Sequence, residues 1–129
     1  MFNLRIVSPE GVYSELEIDS ITLPTIDGQR TMLSNHMATV LPLTIGIMYY
    51  KVKGETTKFF LSEGLFTFEN NEGLLLVNAV ESQTDIDFNR AEKAKQRAEE
   101  RLKEKQDSVD MRRAELALQR SLARLKLRQ

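Results

Sequence analysis

All six glycines and all three prolines of this 129-residue chain lie at or before Gly73. Beyond that point no residue strongly breaks a helix, and Ala, Leu, Glu, Lys, Gln and Arg dominate from Asp85 to Gln129. Those are the strong helix formers. Eight of the nine aromatic residues lie before residue 70, the exception being Phe88. So sharp a shift predicts two parts, 1–84 and 85–129, with a boundary near Gln83–Asp85.

The charges divide at the same place. Residues 1–84 carry 5 basic and 10 acidic side chains, net −5, and residues 85–129 carry 13 and 9, net +4. Over the whole chain 18 Lys+Arg stand against 19 Asp+Glu, which argues against a general nucleic-acid binder. The basic tail suits an acidic partner, yet its charges are too mixed for a plain nucleic-acid arm. Cysteine is absent, so disulfides, thiolate chemistry and Cys-based zinc sites are excluded. Met1–Glu10 has no basic segment followed by an apolar run, so no signal peptide is expected. The most apolar stretch, Met37–Tyr50, contains Pro42, Gly46 and two threonines. It is shorter than the roughly 20 residues of a membrane span. A soluble or membrane-peripheral chain is the expectation.

The first part reads as short strands between turns. Phe2, Leu4 and Ile6 alternate with polar neighbours until Pro9-Glu10-Gly11 turns the chain. Leu16 and Ile18 alternate, and Ile21 and Leu23 resume after a change of register. Asp27-Gly28 and Lys53-Gly54 are turn signals. Ile45–Lys53 and Lys58–Leu61 carry β-branched and aromatic residues. Leu65–Phe68 and Leu74–Ala79 flank Asn70-Asn71-Glu72-Gly73, a hairpin loop by composition. Turns this frequent, with no helical period between them, predict an antiparallel β-sandwich.

The second part reads as two helices. Asp85 or Asp87 can cap the first, and Phe88, Ala91, Ala94 (or Lys95), Ala98 and Leu102 form one face. Gln106-Asp107-Ser108 interrupts the pattern, and Asp107 or Ser108 can cap a second helix. Its apolar face runs through Met111, Ala114, Leu118, Ser121 or Leu122, and Leu125. A short polar loop between two helices gives an antiparallel hairpin. The whole chain is therefore expected to be α+β, a sandwich followed by a two-helix hairpin. Alanine occupies positions where a stable coiled coil has leucine or isoleucine, and each alanine buries little area. Such an arm is marginally stable alone, and a ligand of modest affinity can open or close it.

Catalytic chemistry finds no foothold, so the chain is expected not to be an enzyme. His36 is the only histidine and has no nucleophile motif beside it. The carboxylates of the first part show no paired arrangement for acid–base work. The glycines are scattered singly, so no phosphate-cradling loop is present. Glu, Lys and Arg on exposed helix faces ordinarily serve solubility, and an Ala/Leu stripe ordinarily serves packing.

Several ordered segments carry a family resemblance. Val7-Ser8-Pro9-Glu10-Gly11, Gly28, Leu33-Ser34-Asn35-His36, Leu43, Gly46 and Leu61-Ser62-Glu63-Gly64-Leu65 lie in the first part. Ile86-Asp87-Phe88-Asn89-Arg90-Ala91 and Arg113-Ala114-Glu115-Leu116-Ala117-Leu118-Gln119-Arg120 lie in the second. In order and spacing the chain resembles the ε subunits of bacterial ATP synthases over essentially its whole length. It departs where the family usually reads Gly-Glu-Leu-Gly, having Gly28-Gln29-Arg30-Thr31 instead. Ser34 and Ala38 stand where the family usually has prolines.

The resemblance implies a non-catalytic rotor subunit on the cytoplasmic face of the bacterial cell membrane, peripheral to the bilayer. Its sandwich would bind the γ subunit and rest on the c-ring, with Gly28, Asn35 and His36 in the loops nearest those partners. No cofactor and no nucleic acid would be required. Its helical arm would permit turnover when folded and obstruct ATP hydrolysis when extended into the α and β subunits of the catalytic head. Arg112, Arg113, Arg120, Arg124, Lys126 and Arg128 would then meet an acidic segment of a β subunit. Some family members bind ATP as a regulatory ligand on the folded hairpin. The matching positions here are Glu81, Ile86, Asp87, Arg90, Ala91, Arg97, Arg120 and Arg124. A triphosphate needs several guanidinium groups, and both helices would supply them. The alternatives are a stand-alone ATP sensor and a helical-hairpin interaction module.

Overall fold

The computed structural model describes residues 1–104 and 107–128. They divide into two compact units, Met1–Ser82 and Gln83–Gln129. The first holds ten strands: β1 (Phe2–Ser8), β2 (Gly11–Ile18), β3 (Ser20–Thr25), β4 (Gly28–Leu33), β5 (Thr39–Leu43), β6 (Gly46–Val52), β7 (Glu55–Leu61), β8 (Gly64–Glu69), β9 (Glu72–Val77) and β10 (Val80–Ser82). The second holds α1 (Phe88–Lys103) and α2 (Ser108–Lys126). The expected fold class is borne out.

Two five-stranded sheets form the sandwich, in the orders β2-β1-β9-β8-β5 and β10-β7-β6-β3-β4. Alternation drives the packing. Phe2, Leu4 and Ile6 are buried while Asn3 and Arg5 between them are exposed, as a pleated strand with one wet face requires. Phe59, Leu61, Phe66, Met32 and Met48 fill the interior from the other strands. Asp19 makes the corner where the chain passes from one sheet to the other. Its N–H donates to the Lys51 carbonyl at 2.8 Å, and its carboxylate accepts from the Lys53 N–H at 2.7 Å.

The structure refines several expectations. The β8–β9 loop is Asn70-Asn71 alone, both residues left-handed at φ 52° and 60°. That is the backbone of a two-residue hairpin whose twist matches its strands. Glu72 and Gly73 belong to β9. Gly73 is there for packing, because a Cβ on it would lie 3.0 Å from the Phe66 ring. One pairing is parallel, β1 against β9, and about 65 intervening residues make that connection easy. Strands β4, β5 and β10 were not expected. On β4, Gln29, Arg30 and Thr31 are all exposed and only Met32 is buried, so no alternation shows. Pro42 interrupts β5, which is tolerated because β5 is an edge strand.

Candidate functional site

In the helical unit, Asp87 is the N-cap of α1, its carboxylate accepting from the Arg90 N–H at 3.0 Å. Asp107 caps α2 in the same way through the Asp110 N–H at 2.9 Å. Arg128 beyond the end of α2 donates to the Phe88 carbonyl at 3.4 Å and stands over the Phe88 ring at 5.5 Å. The end of the second helix thus meets the start of the first, and the pair is antiparallel. Ala91 and Ala98 are the buried residues of α1; Ala114, Ser121 and Ala123 are those of α2. The seam, through Ala91 and Ala98 of α1 and Ala114 and Ser121 of α2, is built from small side chains, whereas Ala123 lies on another side of α2. The Ser121 hydroxyl turns back to the Ala117 carbonyl at 3.0 Å.

A small residue follows an arginine at four places: Arg90-Ala91, Arg97-Ala98, Arg113-Ala114 and Arg120-Ser121. Within each helix the two pairs are seven residues apart, so they repeat along one line. Each arginine sits about 100° round the helix from its buried neighbour, in the same rotational sense. For two antiparallel helices meeting along those small residues, equal offsets carry both arginine rows to the same side of the hairpin. Arg124, one turn beyond Arg120, extends the second row. Arg90, Arg97 and Arg113 are exposed, and Arg120 and Arg124 are half-buried. This side can receive a polyanion.

The sandwich presents a second surface on the outer face of the sheet β2-β1-β9-β8-β5. Val12 pairs with Val7, Val7 with Leu76, Leu76 with Leu65, and Leu65 with Pro42. These five residues form one apolar row across all five strands. Val12 is 52% exposed and Leu76 40%. Towards the other end of the strands the face turns acidic, with Glu15, Glu17, Glu69 and Glu72 around an open depression of about 700 Å³. Arg5 pairs with Glu15 there at 2.9 Å. The segment 34–38 borders this end and leads into β5. The His36 ring stands edge-on to Phe68, 6.3 Å away, and Met37 is 76% exposed.

Comparison with known proteins decides the family. A family described as ATP synthase delta/epsilon chain, beta-sandwich domain, matches residues 1–83. A second, the long alpha-helix domain of the same chains, matches residues 84–129. The ATP synthase epsilon chain of Clostridium novyi is 42% identical over 105 residues, 81% of this chain and 80% of that one. That of Caldicellulosiruptor bescii is 38% identical over 81% of this chain and 76% of its own length. The chain belongs to the ATP synthase epsilon chain family. Among solved structures, a chain of the Euglena gracilis mitochondrial ATP synthase superposes with a TM-score of 0.83 at 20% identity. That match covers 93% of this chain and 76% of the other. A chain of the Tetrahymena thermophila mitochondrial enzyme's central stalk and c-ring gives 0.67 at 14% identity, over 96% and 93%. These two likenesses concern the fold.

The epsilon-family positions expected to act are distributed as follows. Arg90 and Arg97 share one side with Arg120 and Arg124. Asp87 is engaged as the cap of α1, and Ala91 is 4% exposed in the seam, so its methyl serves helix approach. Ile86 is buried just before α1, and Glu81 is half-buried in β10. Arg112 pairs with Glu115 at 3.7 Å, Lys126 is exposed, and Arg128 caps the hairpin against Phe88. Gly28, at φ 108°, closes the β3–β4 turn, where the Thr25 hydroxyl donates to its carbonyl at 2.7 Å. Sequence reasoning missed Arg113 as a member of the arginine side, although the seven-residue repeat of Arg-small pairs was visible. It missed the apolar row altogether, because row membership depends on strand pairing. Among the described residues no helix is long and apolar enough to cross a membrane.

Proposed function

We propose that this chain is a non-catalytic rotor subunit of an ATP synthase whose sandwich joins γ to the c-ring and whose arm restrains ATP hydrolysis. Family membership supplies the machine. The observation that carries the division of labour is the contrast between the two interiors. The sandwich is filled by phenylalanine, leucine, isoleucine and methionine, whereas the buried residues within both helices are alanines and a serine. Buried area sets the cost of opening, so the sandwich is the permanent anchor and the arm is the movable part. The apolar row Val12–Val7–Leu76–Leu65–Pro42 supports docking of γ on that face. The β3–β4 tip, where Ile26 is 85% exposed, supports contact with the c-ring.

ATP is the proposed ligand of the closed arm. Arg90, Arg97, Arg120 and Arg124 reach one side of the hairpin only while the helices are paired. A triphosphate bound by both rows therefore favours the paired state, and the extended arm frees those arginines for acidic groups of a β subunit. Calorimetric titration with ATP, with ADP and Arg90→Ala as controls, tests this. Heat that favours ATP and is lost in Arg90→Ala is the expected result. Absence of binding up to several millimolar would leave the arginines to the β subunit and remove ATP from the account.

A further inference from the structure

Asn71 is bonded to two other segments of the sandwich, the N-terminal residues 1–3 and the loop at Asn35. Its backbone carbonyl accepts from the Asn3 N–H at 3.4 Å. Its side-chain Oδ1 accepts from the Asn35 N–H at 2.8 Å, and its Nδ2 donates to the Met1 carbonyl at 3.0 Å. The partners fix the orientation of the amide, since a peptide N–H only donates and a carbonyl only accepts. A flipped side chain would lose both bonds.

The β8–β9 turn by itself does not call for this amide. A two-residue turn with both residues at positive φ is satisfied by glycine at no steric cost. What the amide adds is the link to Asn35, 36 residues away in sequence. Asn35 is itself left-handed, at φ 63°, outside any strand, and Asn71 supplies the acceptor for its N–H. From that fixed point the loop is built outward. The His36 N–H donates to the Leu33 carbonyl at 3.3 Å. The Thr39 hydroxyl gives its proton to the Met37 carbonyl at 2.7 Å. His36 Nδ1, 2.9 Å from that carbonyl and 3.1 Å from the Thr39 hydroxyl oxygen, therefore acts as the donor to both. Exposed Met37 is held at the tip.

We infer that Asn71 is the positioning residue of the 34–38 loop: it holds Asn35 left-handed, fixes how His36 and Met37 are presented, and so sets how tightly the sandwich grips the rotor. The last clause rests on the rotor reading above; the first two do not. Asn71→Gly separates the roles, because glycine keeps the turn and deletes only the amide. Asn71→Asp is the second variant, keeping an acceptor for Asn35 while setting a carboxylate oxygen against the Met1 carbonyl.

The test uses the full chain. His36 is the only histidine, so its ring resonance is assigned without ambiguity and reports its seat on Phe68. In Asn71→Gly that resonance moves toward the free-histidine value and exchange at the Asn35 amide quickens at least about tenfold. Affinity for a rotor assembly of γ and c-ring lacking this chain falls about tenfold, the scale of one ordering hydrogen bond. The unfolding midpoint falls only modestly, because both lost bonds are exposed, so the loop readouts change within the folded state. Asn71→Asp falls between. An unchanged His36 resonance and Asn35 exchange rate in both variants would overturn the positioning role. A displaced loop with undiminished affinity would overturn its link to the rotor. If the parent chain itself fails to bind the assembly, the rotor reading falls and takes the affinity clause with it, while resonance and exchange still decide whether Asn71 sets the loop.

Discussion

Asp87 and Asp107 show how much one side chain settles when its chemistry is local. Each carboxylate accepts from the N–H three residues on, satisfying a donor that the first turn of a helix otherwise leaves unpaired. Asp87→Ala should cost the arm about 1 kcal/mol. Hydrogen exchange will show this as faster exchange in the first turn of α1 with the strand amides unchanged. Each cap was legible to within a pair of residues, Asp85 or Asp87 and Asp107 or Ser108, and the turns at Lys53-Gly54 and Asp27-Gly28 were legible too, because cause and effect lie within four residues. Gly64 was not. A Cβ there would run into the Leu76 carbonyl oxygen and approach the Val77 Cα to 2.9 Å. Only the β8–β9 pairing brings those atoms together. Gly64→Ala should therefore destabilise the sandwich by at least about 2 kcal/mol, the scale of an overpacked site, measured by urea unfolding. The links of Asn71 were hidden for the same reason, since its partners lie 36 and 70 residues away.

Elements were legible where their period was undisturbed. Strand β1 announces itself by Phe2, Leu4 and Ile6, and α1 by Phe88, Ala91, Ala98 and Leu102. Strand β4 hides because it is an edge whose middle three residues are all exposed. On α2 the choice between Ser121 and Leu122 was open; Ser121 is 1% exposed, so the seam takes the smaller residue. A second buried stripe, through Ala123 and Leu127, went unread. The alanine seam gives a prediction of its own. Ala98→Leu forces the helices apart and should cost the arm roughly 1–3 kcal/mol. It should quicken exchange along both helices while leaving the strands as they were. The apolar row gives the complement. Leu76→Glu, on an outer face that is already partly wet, should change sandwich stability by no more than about 0.5 kcal/mol. Yet it sets a charge in the middle of the proposed docking row, and capture of purified γ should be lost.

The two units differ in interior, in charge and in the work proposed for them. In that proposal a sandwich of net −5 with a core of large side chains anchors the chain, and an arm of net +4 with a seam of alanine and serine carries the switch. The division into a strand unit and a helix unit was legible from composition alone, because Gly, Pro and all aromatic residues but Phe88 stop before the helices begin. The pairing of the two arginine rows was not, because it needs the helices set antiparallel along a known seam. The measurement that bears most directly on the account is amide hydrogen exchange across the intact chain, with and without ATP, in the parent and in Arg90→Ala. The account predicts slowly exchanging strands under every condition, helices that exchange far faster without ATP, and helix protection restored by ATP in the parent only. Helices as protected as the strands in the absence of ligand, or helix exchange indifferent to millimolar ATP, would contradict it.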